Sequence, residues 1–240
     1  MINSEMKKTA RVNSLFDAEK APISRASRPL SEPPPILRDL KGHSDYLDSP
    51  LVCLTFDDGP DPLYTPLILD LLDRQQTSAT FFVLGEAALR YPHLVELIVS
   101  AGHSLGAHTH SHYYPWMISS ARARSEVSLC TAAIAQITGK QPRWFRPPYG
   151  HIRRAMIERA SQEKMTTVLW NHSIVDWGPR ATDKGIAQRL EEADSGDIVL
   201  MHDGARHHNR PDITARQLPA FLRSLTERGI LPVSLDQVIC

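Results

Sequence analysis

The segment Thr55–Pro60 carries two adjacent carboxylates, Asp57 and Asp58, directly after the apolar run Leu51–Leu54. Glycine and proline end the segment, so a buried strand would deliver both carboxylates to its own end, where the chain must turn. Neighbouring side chains of an extended or turning segment point in different directions, so one carboxylate could bind a cation while the other acts as a base. The same six residues are also typical of an ordinary Asp-Gly turn, and the rest of the chain has to distinguish the two.

Two histidines four residues apart, His108 and His112, follow a later apolar segment. They would lie on one face if the chain turns helically there. Two imidazoles and one carboxylate form the ligand set of a catalytic zinc site, which keeps a position open for water or substrate. With Asp58 as the carboxylate, the sequence predicts a Zn²⁺ site, although the same ligands accept Co²⁺, Ni²⁺ or Mn²⁺. An isolated histidine is typically a hydrogen-bonded loop residue. We expect this role for His110, His151, His207 and His208.

An arginine and a tyrosine flank a Pro-Pro turn at the end of another apolar run. Arg146 could pair with Asp57 and hold it ionised. The rigid turn could aim the backbone N–H of Tyr149 at a developing oxyanion. The segment is also simply a good turn sequence.

A histidine at the end of a further apolar run, His202, is a candidate general acid. Imidazolium can protonate a leaving amine near neutral pH. Trp177 and Leu200 could form the apolar walls that a small acyl group needs, although both residue types usually belong to a core.

Short apolar runs alternate with amphipathic segments from residue 49 to the C-terminus, and this pattern predicts the elements that position these side chains. Strands are predicted at 51–54, 79–84, 103–107, 143–146, 166–170, 198–201 and 230–233. Strands separated by helices indicate parallel pairing with right-handed crossovers, and about seven such units favour an α/β barrel over an open sheet. In a barrel the C-terminal strand ends meet at one face, where the candidate residues would converge.

The first 48 residues are polar, carry mixed charges and contain several prolines. We predict an N-terminal tail or linker, either extended or packed along the domain surface. Acidic and basic residues balance at 27 each, which argues against a nucleic-acid partner held by bulk charge. The sequence has no transmembrane run and no continuous apolar region near its N-terminus, which predicts no membrane span and favours a cytoplasmic location over a secreted or periplasmic one.

Taken in order, the motifs resemble those of the polysaccharide deacetylase family, also called the NodB-homology domain or carbohydrate esterase family 4. Five segments carry the resemblance: Thr55-Phe56-Asp57-Asp58-Gly59-Pro60, His108-Thr109-x-Ser111-His112, Arg146-Pro147-Pro148-Tyr149, Asp176-Trp177 and Leu200-x-His202. The resemblance implies a distorted (β/α) barrel over residues 49–240. It also implies a divalent metal, usually zinc, and hydrolysis of N-acetyl groups on an amino-sugar polymer or oligosaccharide.

Carried across position by position, the resemblance implies a role for each site residue. Asp57 would be the catalytic base, and Arg146 would orient it. His202 would be the acid, and Asp176 would be the carboxylate that tunes the acid. The metal ligands would be Asp58, His108 and His112. The substrate-binding residues would be Tyr149, Trp177 and Leu200. Many family members carry a second aspartate three positions before the Asp-Trp pair, where this chain has Ser173. Either Asp176 would tune the acid alone, or the acid would be weaker here.

The sequence leaves several acetylated substrates as alternatives. A chitooligosaccharide or a peptidoglycan-type glycan would present an N-acetyl group, whereas xylan would present an acetyl ester. A small non-polymeric amide is a further alternative, because a fold does not determine a substrate. A catalytically inactive carbohydrate-binding relative is the third class, and bound metal with measurable acetate release would eliminate it. The sequence does not predict the oligomeric state.

Overall fold

The computed structural model describes residues 36–41, 50–206 and 208–239. The strands are β1 (Ile36–Leu37), β2 (Leu51–Asp57), β3 (Thr80–Val83), β4 (Ser104–Ala107), β5 (Trp144–Phe145), β6 (Thr166–Val168), β7 (His172–Ser173), β8 (Ile198–His202) and β9 (Leu231–Val233). The helices are α1 (Tyr64–Asp73), α2 (Gly85–Arg90), α3 (Pro92–Ser100), α4 (Ser120–Thr138), α5 (Arg154–Gln162), α6 (Asp183–Glu192), α7 (Pro211–Glu227) and α8 (Leu235–Val238). None of the helices within these ranges is long and apolar enough to cross a membrane.

The strands form one curled sheet in which every described pair is parallel. Their order is β1-β6-β5-β4-β3-β2-β8-β7, and β9 pairs with the first half of β2. The prediction of a distorted α/β barrel is confirmed. The described sheet has two strands more than the roughly seven expected, because β1 and β7 have two residues each and such short strands leave no hydrophobic pattern.

Strand β2 is buried on both faces, which explains its nearly continuous apolar sequence. Val52, Leu54 and Phe56 belong to the core cluster that the sheet forms with the surrounding helices. Cys53 belongs to a second cluster, which also includes Phe82. The strand that ends in the two carboxylates is therefore held firmly from both sides.

The segment 36–41 belongs to the barrel as well. Ile36 and Leu37 pair with Thr167 and Val168 of β6, and Leu40 is fully buried in the second core cluster. The packed alternative for the predicted tail therefore describes these residues, and the barrel begins before the predicted boundary at residue 49. The rest of the predicted tail, at 1–35 and 42–48, lies outside the described residues.

The strand register brings the predicted site residues to one edge of the sheet. Asp57 lies directly opposite His202 in the pairing of β2 with β8. His108 and Arg146 immediately follow β4 and β5, which are neighbours in the sheet. Because all these strands are parallel, their C-terminal ends share the same edge and their following loops meet above it.

Candidate active site

The two carboxylates of the Asp-Asp pair differ in backbone conformation. Asp57 is the last residue of β2, whereas Asp58 has a left-handed φ of 74°. The change in chain direction lets the two side chains face different partners. The turn that follows packs closely on Asp203, because a Cβ added to Gly59 would lie 2.1 Å from Oδ2 of that residue. A side chain at this position would have to displace the buried carboxyl group of Asp203.

Asp57 is held by Arg146, as expected from the sequence. The guanidinium donates to Oδ1 of Asp57 at 2.7 Å and to Oγ1 of Thr55 at 2.8 Å. It also donates to the carbonyls of Val168 at 3.3 Å and Leu169 at 3.1 Å. Arg146 is fully buried, so these bonds supply the partners that its desolvated charge needs.

Asp58, His108 and His112 form a buried cluster whose potential ligand atoms all lie within 4.8 Å of one another. Oδ1 of Asp58 lies 3.2 Å from Nε2 of His112 and 3.6 Å from Nε2 of His108. Ligand atoms arranged tetrahedrally at zinc distances are separated by roughly 3.3–3.6 Å. Oδ1 of Asp58 is buried and has no hydrogen-bond partner among the described residues. This donor set fits a divalent cation.

The surroundings orient His108 and keep Asp58 ionised, as a metal-ligating carboxylate must be. His108 donates its Nδ1–H to the carbonyl of Arg146 at 2.7 Å, which directs Nε2 toward Asp58. Burial alone would raise the pKa of the Asp58 carboxyl, but His112 and His108 lower it below its usual value. The carboxylate is therefore ionised.

The path of the chain between the two histidines differs from the helical turn that their spacing suggested. Residues 108–112 contain no helix, and Thr109 and His112 have left-handed φ values of 69° and 58°. The imidazole centroids nevertheless lie 5.1 Å apart. The prediction of a helical face was wrong, because two left-handed residues curl the loop and bring the rings together instead.

His202 is supported by a single buried carboxylate, that of Asp176. Oδ1 of Asp176 accepts from Nδ1–H of His202 at 2.7 Å, and Oδ2 accepts from the His202 backbone N–H at 2.8 Å. The hydroxyl of Thr214 also donates to Oδ2, at 2.7 Å. Ser173, at the position where many family members have an acid, accepts a hydrogen bond from the Val175 N–H.

This support makes His202 suitable as an acid. Burial lowers the pKa of His202, but the charge and hydrogen bond of Asp176 outweigh it, with smaller contributions from Asp58 and Asp57, and raise the pKa to about 9. The imidazolium is therefore the main form at neutral pH, and it is lost as the pH rises through about 9.

We expect Asp176→Asn to move the alkaline limb of the kcat/KM profile to lower pH. The change removes the negative charge that raises the pKa of His202 and leaves the burial that lowers it. Activity at pH 9 should fall by roughly tenfold or more, with a smaller loss near pH 6. Initial rates between pH 5 and 10 would measure this. An alkaline limb that stays in place would contradict the assignment of His202 as the acid.

A pocket of about 430 Å³ opens above these groups, within the usual size range for small-ligand sites. Eight of the ten predicted site residues line it: Asp57, Asp58, His108, His112, Tyr149, Trp177, Leu200 and His202. The other two, Arg146 and Asp176, are fully buried behind them. Tyr149 has a left-handed φ of 59° in the Pro-Pro turn, and the oxyanion role of its N–H stays a prediction.

Four residues that the sequence analysis did not single out as site residues also line the pocket: Trp170, Gly178, His208 and Asn209. Asn209 has the most specific contacts, because its side-chain amide donates to Oδ2 of Asp58 at 2.8 Å and to the carbonyl of Gly204 at 3.1 Å. Its backbone forms an isolated bridge with Trp177. A lone asparagine in a basic loop has no motif signal, and only the tertiary contact identifies it.

We expect Asn209→Ala to weaken metal binding by roughly 10–100-fold, as is typical when a group that orients a metal ligand is removed. The side-chain amide of Asn209 holds Oδ2 of Asp58 and thereby keeps Oδ1 aimed at the cation. The substitution removes this bond, so Asp58 is no longer oriented as a ligand. Competition with a chromogenic chelator measures this affinity directly. Asn171→Ala is the matched control, because the Asn171 amide donates to a different carboxylate, that of Asp197, at 2.6 Å. Equal losses in both variants would contradict a specific role for Asn209.

Comparison with known proteins agrees with this geometry. The family model described as "Polysaccharide deacetylase" matches residues 45–168. A peptidoglycan-N-acetylglucosamine deacetylase of Bacillus cereus is 34% identical over 191 residues, which cover 79% of this chain and 88% of the relative. A chitooligosaccharide deacetylase of Bradyrhizobium is 30% identical, and the match covers 81% of this chain and 93% of the relative. Some longer relatives are matched over only 38% of their length.

A solved structure gives the same result for the fold. The Bc1960 peptidoglycan N-acetylglucosamine deacetylase, in complex with 4-naphthalen-1-yl-N-oxidanyl-benzamide, superposes with a TM-score of 0.75. The two chains are 29% identical, and the match covers 85% of this chain and 92% of the other. The family model, the relatives and the fold all agree with the motifs, and the chain therefore belongs to the polysaccharide deacetylase family.

Proposed function

We propose that this deacetylase is a divalent-metal hydrolase, with zinc as the first candidate metal, that removes acetyl groups from N-acetylglucosamine units of a glycan. One observation carries the proposal: a buried Asp-His-His cluster lies in the same pocket as the carboxylate of Asp57 and the imidazole of His202, which is hydrogen-bonded to Asp176. These are the groups that amide hydrolysis needs, since water must lose a proton and the departing amine must gain one.

The roles of the protein groups follow from their positions. When bound by Asp58, His108 and His112, the cation supplies Lewis-acid polarisation of the acetamide carbonyl. Asp57 accepts a proton from the water that adds to the carbonyl carbon. His202 donates a proton to the nitrogen as the C–N bond breaks, so acetate and a free amine leave.

The amine is the leaving group that this site suits best. An amide nitrogen leaves poorly without a proton, and the Asp176–His202 pair keeps an acid charged at neutral pH. Trp177 stands edge-on to His202 with ring centroids 5.4 Å apart. Together with the buried Leu200 it offers an apolar boundary for the acetyl methyl group beside the proton donor.

The substrate class is inferred from two relatives that share one chemical feature. Their names specify peptidoglycan N-acetylglucosamine and chitooligosaccharide, and both glycans present an N-acetylated glucosamine. We propose a soluble or solubilised oligosaccharide of this sugar as the first substrate to be tried. Fractionation of the producing cells would test the cytoplasmic location expected from the sequence.

Acetate release tests the function. The substrates are N-acetylglucosamine oligomers, peptidoglycan fragments and acetylxylan, and the protein is metal-free or reloaded with zinc, cobalt, nickel or manganese. We expect release from an N-acetylated glycan, abolished by chelation and restored first by zinc. Release from acetylxylan alone would replace the amidase assignment by an esterase. No release by any metal-loaded form from any of the three substrates would overturn the proposal.

A further inference from the structure

Helix α4 carries a buried carboxylate, that of Glu126, which the proposed mechanism does not use. Glu126 is fully buried, and both of its oxygens are hydrogen-bonded. Oε1 accepts from Nε of Arg122, one helical turn earlier, at 2.8 Å, and Oε2 accepts from the backbone N–H of Ser111 at 2.7 Å. Removing a carboxylate from water is costly unless charge and hydrogen bonds compensate for it. One of the compensating bonds therefore links α4 to the loop that carries the two histidine ligand candidates.

This bond reaches the loop at a point where the backbone is strained. Ser111 immediately precedes the ligand candidate His112, which has a left-handed φ of 58°. Residues other than glycine rarely adopt this region, so the surrounding contacts have to stabilise it. A carboxylate is a stronger acceptor for a backbone N–H than a neutral oxygen is. The bond to Glu126 therefore helps to hold the chain that leads into His112.

Arg122 extends this contact to the other side of His112. Its guanidinium lies over the ring of Tyr113, 5.3 Å from the centroid, which is within the range of a cation–π contact. The same guanidinium pairs with Glu126, with Nη2 2.8 Å from Oε1. Ser111 and Tyr113 flank His112 in the chain, so one ion pair of α4 contacts both neighbours of this ligand candidate. We call Glu126 and Arg122 the α4 clamp.

The preceding part of the loop is held by backbone hydrogen bonds. The first two backbone N–H groups of α2 donate to the carbonyls of Thr109 and His110, at 3.0 Å each. The N–H groups at a helix N-terminus lack acceptors within the helix, so this loop satisfies them. These bonds end one residue before Ser111, where the α4 clamp begins. The loop is therefore held between α2 and α4, and the clamp secures the end that carries the second histidine ligand candidate.

We propose that Glu126 is a positioning residue for the metal centre and that it raises the metal affinity by holding His112 in place through Ser111. Nε2 of His112 lies 3.2 Å from Oδ1 of Asp58, close to the separation of two ligand atoms on one zinc ion. Ligands that are already arranged bind their ion without the entropic cost of ordering the loop. The inference rests on the metal centre of the proposed function, and it adds a side chain that does not line the pocket.

Zinc affinity, measured by competition with a chromogenic chelator, tests this role. We expect Glu126→Met to weaken zinc binding roughly 10–100-fold, the usual effect of removing a group that orients a metal ligand. Glu126→Gln keeps an oxygen that can accept from Ser111, so it should weaken binding only roughly three- to tenfold. Glu163→Met is the matched control. Glu163 also pairs with an arginine one helical turn earlier, at 2.7 Å, but it lies at the opposite edge of the sheet, where the chain passes from α5 to β6.

The visible spectrum of the cobalt-loaded protein separates positioning from a general loss of stability, because it reports the geometry of the ligands. At saturating cobalt, Glu126→Met should show an altered spectrum, whereas Glu163→Met should keep the wild-type spectrum even if its Tm falls. Wild-type affinity and spectrum in Glu126→Met would overturn the inference, and so would equal losses of affinity in the two variants. If Glu126→Met does not fold, wild-type affinity and spectrum in Glu126→Gln would overturn it. Wild-type protein that binds neither zinc nor cobalt would instead reject the metal centre and the proposed function.

Discussion

Asp57→Asn is expected to reduce kcat for acetate release by roughly 10²–10⁴-fold, the usual contribution of a general base. The amide keeps the size of the side chain but cannot take a proton from water. Oδ1 of Asp57 accepts from Arg146, and Oδ2 lies 3.7 Å from Nε2 of His108. One oxygen is therefore held, and the other remains directed toward the pocket.

Metal content distinguishes a base from a ligand. The cation-binding cluster comprises Asp58, His108 and His112, so Asp57→Asn should retain its metal within about a factor of two to three of the wild-type affinity. His108→Ala should lose both metal and turnover, because it removes a ligand. Elemental analysis after dialysis, together with rates at saturating zinc, measures both properties. If Asp57→Asn lost its metal as fully as His108→Ala does, Asp57 would be a ligand and not the base.

Arg146→Met is expected to lower the free energy of unfolding by about 3–5 kcal/mol, the usual cost of breaking a buried ion pair from one side. The substitution leaves Asp57 buried without its 2.7 Å partner. It also removes the bonds to Thr55 Oγ1 and to the carbonyls of Val168 and Leu169, so the ends of β2 and β6 lose a shared anchor. Turnover should fall with the stability, because the base loses its orientation.

Urea denaturation in excess chelator measures this effect without the stabilisation that a bound metal adds. The double variant Asp57→Leu with Arg146→Met removes both charges, and it should recover part of the lost stability while remaining inactive. The exposed pair Arg74 and Asp70, 2.8 Å apart, is the control, since Arg74→Met should cost under about 1 kcal/mol. A single Arg146→Met variant as stable as wild type would contradict the anchoring role.

Strand register explains why so much of the site could be predicted. The apolar runs identified the central strands, and parallel pairing brings their C-terminal ends to one edge whatever the details of the loops. His202 consequently lies opposite Asp57 in the pairing of β2 with β8. The motif residues already stood at those ends in the sequence, and their convergence required only that the barrel form.

Loop conformation explains what could not be predicted. His108 and His112 meet through two left-handed residues, Thr109 and His112 itself, whereas their spacing suggested a helical turn. Asn209 reaches Asp58 across 151 positions of the chain, and no local pattern encodes such a contact. The two-residue strand β1 is defined by its partner in β6 rather than by its own composition.

The sequence by itself determined the chemistry of this protein: two carboxylates with distinct tasks, a histidine pair, an arginine, and a histidine acid, all at the ends of strands. Only the tertiary structure decided which atoms meet. It aims Asp58 away from Asp57, binds Asp176 to His202, and places Asn209 beside the candidate metal ligands. The physical reason is that residue types and strand periodicity are local properties, whereas the direction of a side chain in a loop depends on packing and hydrogen bonds between distant segments.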